Sequence, residues 1–240
     1  MNSRIKFVLA SPFLCLCAFA ANFSKNLNQE DIESTNRKLA STLQHRAWTN
    51  SESAPRKITF NIGVESGVGF NTSVNNYGDK SGRVPSVLPI PKLYAAVSFQ
   101  PDIHVSASLF PGANLAGITT YGFATEWFFL RDPRLVSYSM LLHYSHSQLF
   151  KEYRANTQGA RFSANHDFKD FTLYGGAGFI SVESRVNETL LAAGTDDKFY
   201  GSFHPHFIVG AKIDWDYPIS IQAELIRQEI SLGLLVAKTF

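Results

Sequence analysis

The sequence is poor in cysteine: it has two, Cys15 and Cys17, both within a short apolar stretch near its beginning. If that stretch is removed, the rest of the chain has no thiol chemistry, disulfide or cysteine-based metal site. Long hydrophobic runs are missing as well. After Phe19 nothing approaches the roughly 20 apolar residues that a spanning helix requires, which excludes a helical anchor in the remaining chain. Charge of one sign is also absent. Of the 22 basic side chains Arg4 and Lys6 fall in the first segment, so the rest balances its 20 acidic residues. Nucleic-acid binding needs a basic stripe, and none is present. No phosphate loop, dinucleotide fingerprint or zinc-binding helix motif occurs, so no cofactor is expected.

What is present begins with an export signal. Arg4 and Lys6 precede an apolar run from Phe7 to Phe19, and Ala18-Phe19-Ala20 supplies the small residues that signal peptidase reads. Cleavage is expected after Ala20, making 1–20 a signal peptide. Leu14 and Leu16 stand before the two cysteines where a lipoprotein needs a small residue, so lipidation is not expected. Residues 21–56 are polar, with a weak helical spacing of Ile32, Leu39 and Leu43. They read as an N-terminal extension outside the main fold, with an inserted plug or a partner-binding helix as the alternative.

From Lys57 the chain alternates apolar and polar residues with period two, the mark of strands with one apolar face. Ile58, Phe60, Ile62 and Val64 share a face in the first strand, and Leu93, Ala95, Val97 and Phe99 do so in the second. Ten such segments follow one another to Phe240. Tight connections such as Arg131-Asp132-Pro133-Arg134 alternate with longer polar ones, placed at roughly 66–90, 110–116, 150–158 and 183–199. Phe99, Trp127, Phe129, Tyr138, Phe168, Phe171 and Trp215 cluster by the short turns, and Tyr144, Phe150, Phe179 and Phe203 by the long loops. Two aromatic bands are expected of girdles at two membrane interfaces.

The sequence ends on Phe240, preceded at alternate positions by Lys238, Val236, Leu234 and Leu232. This ending resembles that of bacterial outer-membrane β-barrels, whose terminal aromatic strand is read by the barrel-assembly machinery. The resemblance spans 57–240 and implies an all-β fold: an up-and-down antiparallel transmembrane β-barrel of ten strands, with eight or twelve as alternatives. It also implies export across the periplasm with chaperones of a Gram-negative cell, contact with outer-membrane lipid and lipopolysaccharide, and short turns on the periplasmic side. The 21–56 extension would then be periplasmic. Lys238 departs from the pattern, which usually has an apolar or aromatic residue there.

By parity the polar face fills the barrel. Glu126 and Glu224 are expected to pair with Arg161 and Lys212 in a lumenal network that includes His204 and His206. The two histidines, at i and i+2, would bind a metal only with a third ligand, and no metal is expected. His143-Tyr144-Ser145 places a base and a hydroxyl on one strand face. The segment resembles the His-x-Ser motif of outer-membrane lipid A deacylases, serine esterases in which a nearby glutamate orients the histidine; that resemblance implies Glu152 in the orienting role. Deacylases have eight strands and open their site to lipid, whereas here Val136, Met140 and Leu142 take the apolar face and leave His143 and Ser145 inside. Three functions remain open: a non-enzymatic structural, adhesive or narrow, porin-like channel barrel; a lipid A or phospholipid esterase using Ser145 and His143; and a soluble secreted ligand-binding barrel.

Overall fold

The computed structural model describes residues 22–48, 58–70, 74–84, 89–99, 102–110, 117–130, 136–168, 170–195 and 200–240. The signal peptide with its cleavage site and the 111–116 connection lie outside the described residues. Ten strands form one closed antiparallel barrel in which each pairs with its neighbours in sequence and β1 pairs with β10. They are β1 (Thr59–Gly69), β2 (Ile90–Phe99), β3 (Ile103–Leu109), β4 (Ile118–Leu130), β5 (Ser137–Leu149), β6 (Tyr153–Asp167), β7 (Phe171–Val186), β8 (Tyr200–Ile213), β9 (Ile219–Ile226) and β10 (Glu229–Thr239). Closure leaves no sheet edge unpaired. Phe240 completes the seam, donating its N–H to the Phe60 carbonyl at 2.8 Å.

The alternating residues lie as the parity requires. Phe60, Ile62, Leu93, Phe123, Trp127, Leu142, Phe162, Val209 and Ile221 are exposed on the outer wall, while Asn61, Glu65, Ser106, Glu126, Arg161 and Gln222 are buried within. The aromatic clusters are real contacts: Trp127 and Phe129 lie 5.9 Å apart, Phe168 and Phe171 4.5 Å, and Phe179 and Phe203 5.0 Å. Phe150 is an exception, because it turns inward and packs on Phe23 at 6.5 Å. Lys238 also has a structural reason, since its ammonium lies 5.1 Å from the Phe240 ring and 5.9 Å from that of Tyr217. A cation over two rings occupies the girdle without interrupting it.

Two connections differ from expectation. The 150–158 loop is instead a tight turn through Phe150 and Lys151, both at positive φ (50° and 62°), after which β6 begins at Tyr153. Likewise β7 runs on to Val186, past the expected loop start at 183. In both segments polarity inverts: Tyr153, Ala155, Ile180 and Val182 are buried inside, while Arg154, Gln158, Glu183 and Arg185 face out. Lower on β7 the outward residues are Phe171, Leu173, Ala177 and Phe179. That apolar stretch matches the roughly 9–11 residues of a membrane-crossing strand, and the inverted stretch above it is patterned like a strand of a soluble protein.

The 21–56 segment corrects the sequence reading most. Its described part, 22–48, does not stand outside the barrel but runs through it. Helix α1 (Gln29–Leu43) starts at a capping box, in which Asn28 and Asp31 exchange side-chain to backbone hydrogen bonds. It lies along the lumen near the long-loop end, and residues 44–48 continue extended and buried towards the short-turn end. Ile32, Leu39 and Leu43 pack with Ile90, Ile118, Leu149, Tyr153, Ile180 and Ile226 in one apolar core. The weak helical spacing is thus a core-facing stripe, enclosed by strands instead of by other helices.

Candidate functional site

The lumen is the place where chemistry-bearing groups converge, and it has two zones. Towards the long loops it is the apolar core just described. Below that core the extended segment 44–48 meets the polar faces of the strands.

Inward-facing glycines make room for this segment. Gly67 of β1 and Gly233 of β10 are direct cross-strand partners. A Cβ on Gly67 would lie 2.8 Å from Arg46 Nε, and one on Gly233 would lie 2.5 Å from Arg46 Cδ. Gly69 and Gly122 likewise give way to Thr42 and His45. The missing side chains form a shallow bed on the wall, and the plug fills it.

Charge then pins the segment. Arg46 Nη1 is 3.1 Å from Glu224 Oε1, both side chains almost wholly buried. Gln44 and Gln222 donate to the same carboxylate, Gln222 at 2.6 Å, and His206 Nε2 stands 3.6 Å away. Glu65 accepts from Trp48 Nε1 at 2.8 Å, with His45 and Lys92 each at 3.6 Å. Backbone carbonyls of the plug are held too: Lys92 Nζ donates to Leu43 O (2.8 Å) and Gln44 O (2.7 Å), Thr120 donates to Leu43 O (2.9 Å), and Arg161 donates to Ala47 O (2.7 Å). A buried carbonyl without a donor is costly, so these wall side chains act as capping donors for a strandless piece of chain.

The sequence pairs Glu126 and Glu224 with Arg161 and Lys212. Arg161 acts electrostatically on both carboxylates, but the direct ion pair of Glu224 is with Arg46 from the plug, while Lys212 is 2.9 Å from Asp214 at the short-turn end. Glu126 accepts from Ser139 at 2.6 Å. Sequence reasoning missed His45, Arg46, Trp48 and Lys92. Lys92 was findable, since it shares parity with Tyr94 and Ser98. The plug residues had a fainter signal in the inward glycines, which imply that something else occupies the space.

His143 and Ser145 are both lumenal and buried, at 6% and 1% exposure. Neither imidazole nitrogen of His143, nor Ser145 Oγ, has a hydrogen-bond partner among the described residues. The His143 ring lies over Gly159, its cross-strand partner, and meets His206 edge-on at 6.1 Å. Glu152 sits in the β5–β6 turn and accepts the Phe23 N–H at 3.2 Å. The structure does not bring the three into a hydrogen-bonded relay. His204 and His206 share the inner face of β8 across Pro205, and β9 pairs with β8 only from His206 onward, so the proline lies where the ladder ends. Among the described residues no group of three or more His, Cys, Asp or Glu is arranged to hold a metal ion.

At the short-turn end a small recess opens, lined by Trp48, Asn61, Tyr94, His104, Lys212 and Thr239 among others. Trp48 is buried on its wall and packs with Tyr94, Ala96, Leu235 and Ala237.

No protein-family model and no curated protein matches the sequence. Among solved structures the chain is similar to Ail, the attachment invasion locus protein of Yersinia pestis, at 12% identity and a TM-score of 0.30 over 76% of this chain and 97% of that one. It is similar to a loop-deletion mutant of OmpT, an outer membrane protein of Vibrio cholerae, at 10% identity and a TM-score of 0.33 over 91% of this chain and 74% of that one. It is also similar to Neisserial surface protein A, at 10% identity and a TM-score of 0.29 over 78% of this chain and 97% of that one.

Proposed function

We propose that the chain is an integral barrel of the bacterial outer membrane, that its lumen is permanently closed by its own N-terminal segment, and that its role is non-enzymatic and exercised at the long-loop face. The observation that carries this reading is the apolar core inside the barrel. A water-filled channel needs a polar wall along its whole length, whereas Ile90, Ile118, Leu149, Ile180 and Ile226 face inward and are fully buried by α1. Removing the plug would expose them, at roughly 1.5–3 kcal/mol for each large apolar side chain. The plug is therefore part of the folded core rather than a stopper resting in a preformed pore.

The membrane reading rests on the outer wall. Ile62 (60% exposed), Phe162 (62%), Val209 (63%) and Phe203 (67%) belong to an apolar belt that runs around the barrel. Monomeric proteins in water rarely expose contiguous apolar patches beyond a few hundred Å², so lipid is the solvent this surface fits, and a soluble binding barrel is not favoured. Lipid and lipopolysaccharide are then the immediate surroundings, and the outward row Leu232, Leu234, Val236 and Phe240 is the element offered to the assembly machinery. His143 and Ser145 are walled in by the same barrel, so no path leads an acyl chain from the bilayer to them.

The test is fractionation together with heat-modifiable gel migration and planar-bilayer recording. The proposal expects outer-membrane recovery, a mobility shift on boiling, and no discrete conductance from the intact protein. Recovery as a soluble protein without detergent would overturn the membrane reading, and steady discrete openings would overturn the closed lumen.

A further inference from the structure

We propose that segment 22–48 is an additional crossing of the membrane and that the barrel presents the N-terminal end of this segment at the cell surface, a presentation function built into the fold. The inference rests on the membrane placement above and adds a topology to it. An even number of strands returns β10 to the side where β1 began. By that rule a segment ahead of β1 belongs on the short-turn side, and the structure places its far end on the other.

Three separate long-end connections hold residues 22–28. From the β1–β2 connection, Arg83 N–H donates to Asn22 O (2.8 Å), Gly82 N–H to Ser24 Oγ (2.9 Å) and Asp79 N–H to Lys25 O (2.8 Å), while Lys25 N–H returns a bond to Asp79 Oδ1 (2.9 Å). From the β5–β6 turn, Glu152 accepts from Phe23. From the β7–β8 connection, Leu190 O accepts from Leu27 N–H (2.8 Å) and Ala192 N–H donates to Leu27 O (3.0 Å), a short parallel bridge. The other end of the segment, Trp48, sits in the recess of the short-turn end. Between the two, every element is enclosed by strands.

This arrangement is not a loop folded over a rim. Phe23 and Leu27 belong to the same apolar core as Leu39 and Leu43, so the cap and the plug are one packed unit. Asn22, Lys25 and Asn26 remain exposed on top of it. The exposed end at Asn22 is therefore held outside the cell by a crossing that contributes to the barrel's own stability. The plug also lies against β1 and β10, whose pairing closes the ring.

Single-cysteine labelling in intact cells tests this, in a chain whose Cys15 and Cys17 are replaced by alanine and whose folded state is confirmed by heat-modifiable migration. The probe is a membrane-impermeant maleimide. Lys25→Cys reports the segment, with Asn22→Cys as a second position should the first fail to fold; Ala193→Cys reports the long loops and Asp216→Cys the short turns. The expected result is that Lys25→Cys and Ala193→Cys label in intact cells to within about twofold of their labelling after permeabilisation, while Asp216→Cys gains at least tenfold on permeabilisation. If Lys25→Cys behaves like Asp216→Cys while Ala193→Cys labels freely, the extra crossing is wrong and the membrane barrel stands. If Ala193→Cys itself requires permeabilisation, the orientation under the proposed function fails, and this inference fails with it.

Discussion

Gly67 and Gly233 face each other across the strand pair that closes the barrel, and the side chain of Arg46 lies over both. A glycine inside a strand weakens it, and two opposed at a seam do so twice. Their presence makes sense as space for a buried guanidinium. Gly67→Val and Gly233→Val are expected to destabilise the barrel by about 1–3 kcal/mol, the usual cost of overpacking, read as a fall in urea midpoint of the folded gel band. Shortening the occupant should relieve the clash, so either valine should cost clearly less in an Arg46→Ala background. Equal costs in both backgrounds would mean that the glycines serve some purpose other than the plug.

Arg46→Ala alone leaves Glu224 buried beside Gln44, Gln222 and His206 without its guanidinium. Breaking one side of a buried ion pair costs about 3–5 kcal/mol, whereas replacing both sides with apolar residues of similar size is often neutral. Arg46→Met with Glu224→Leu should therefore be more stable than Arg46→Ala. Denaturant unfolding in detergent checks the order, and the reverse order would remove the ion pair as the anchor.

The cap has its own acid sensitivity. Hydrogen bonds from the Ser81 hydroxyl and N–H, joined by the Lys25 N–H, hold the Asp79 carboxyl below the ordinary aspartate value. A carboxyl with a lowered folded value stabilises the cap above its unfolded value, and that contribution is lost as pH falls through the lower folded value. The protection factors of the Lys25 and Ser81 amides, with the intrinsic pH dependence of exchange divided out, should therefore hold through neutral pH and fall only in acid. In Asp79→Ala both amides should lack that protection at every pH. Loss of protection already near neutral pH would contradict the carboxylate clamp.

Ser145→Ala is expected to leave lipid A and phospholipid acylation unchanged, since Ser145 is 1% exposed inside the barrel and its hydroxyl has no hydrogen-bond partner among the described residues. Mass spectrometry of extracted lipid reads this directly. A change in acylation tied to Ser145 would revive the esterase reading.

The strands were legible because period-two alternation survives wherever the outer face is apolar and the inner face polar, and residues such as Ile62, Val105 and Ile221 declare that outer face without any help from the fold. The same rule failed where the polarity of the wall inverts near the long loops. At Tyr153 to Gln158 the inward Tyr153 and Ala155 are the apolar residues and the outward ones are polar, so the stretch resembles a loop to a reader looking for apolar-out strands. The plug was harder still. Ile32, Leu39 and Leu43 gave a weak helical stripe, yet nothing local distinguishes a helix packed on strands around it from one left in solvent. Glu126 and Glu224 are buried in the lumen together with Glu65, but strand parity points only to partners on the wall, and several of the groups that meet these acids come from the plug. Contacts such as Arg46 with Glu224 and Trp48 with Glu65 span unrelated parts of the chain, and no spacing rule reaches them.

The central claim is that the N-terminal segment lies inside the barrel, and cross-linking tests it most directly. Thr42 and Gly69 suit this, since a Cβ on Gly69 would be 2.9 Å from the Thr42 Cβ, inside the roughly 3.5–4.5 Å of a disulfide, so a shift of under about 1 Å between plug and wall lets the pair bridge. In the chain lacking Cys15 and Cys17, Thr42→Cys with Gly69→Cys should oxidise to a disulfide, leaving no thiol for a polyethylene-glycol maleimide until reductant is added. Two freely reactive thiols in a barrel that still shows heat-modifiable migration would place the segment outside the lumen and contradict the account.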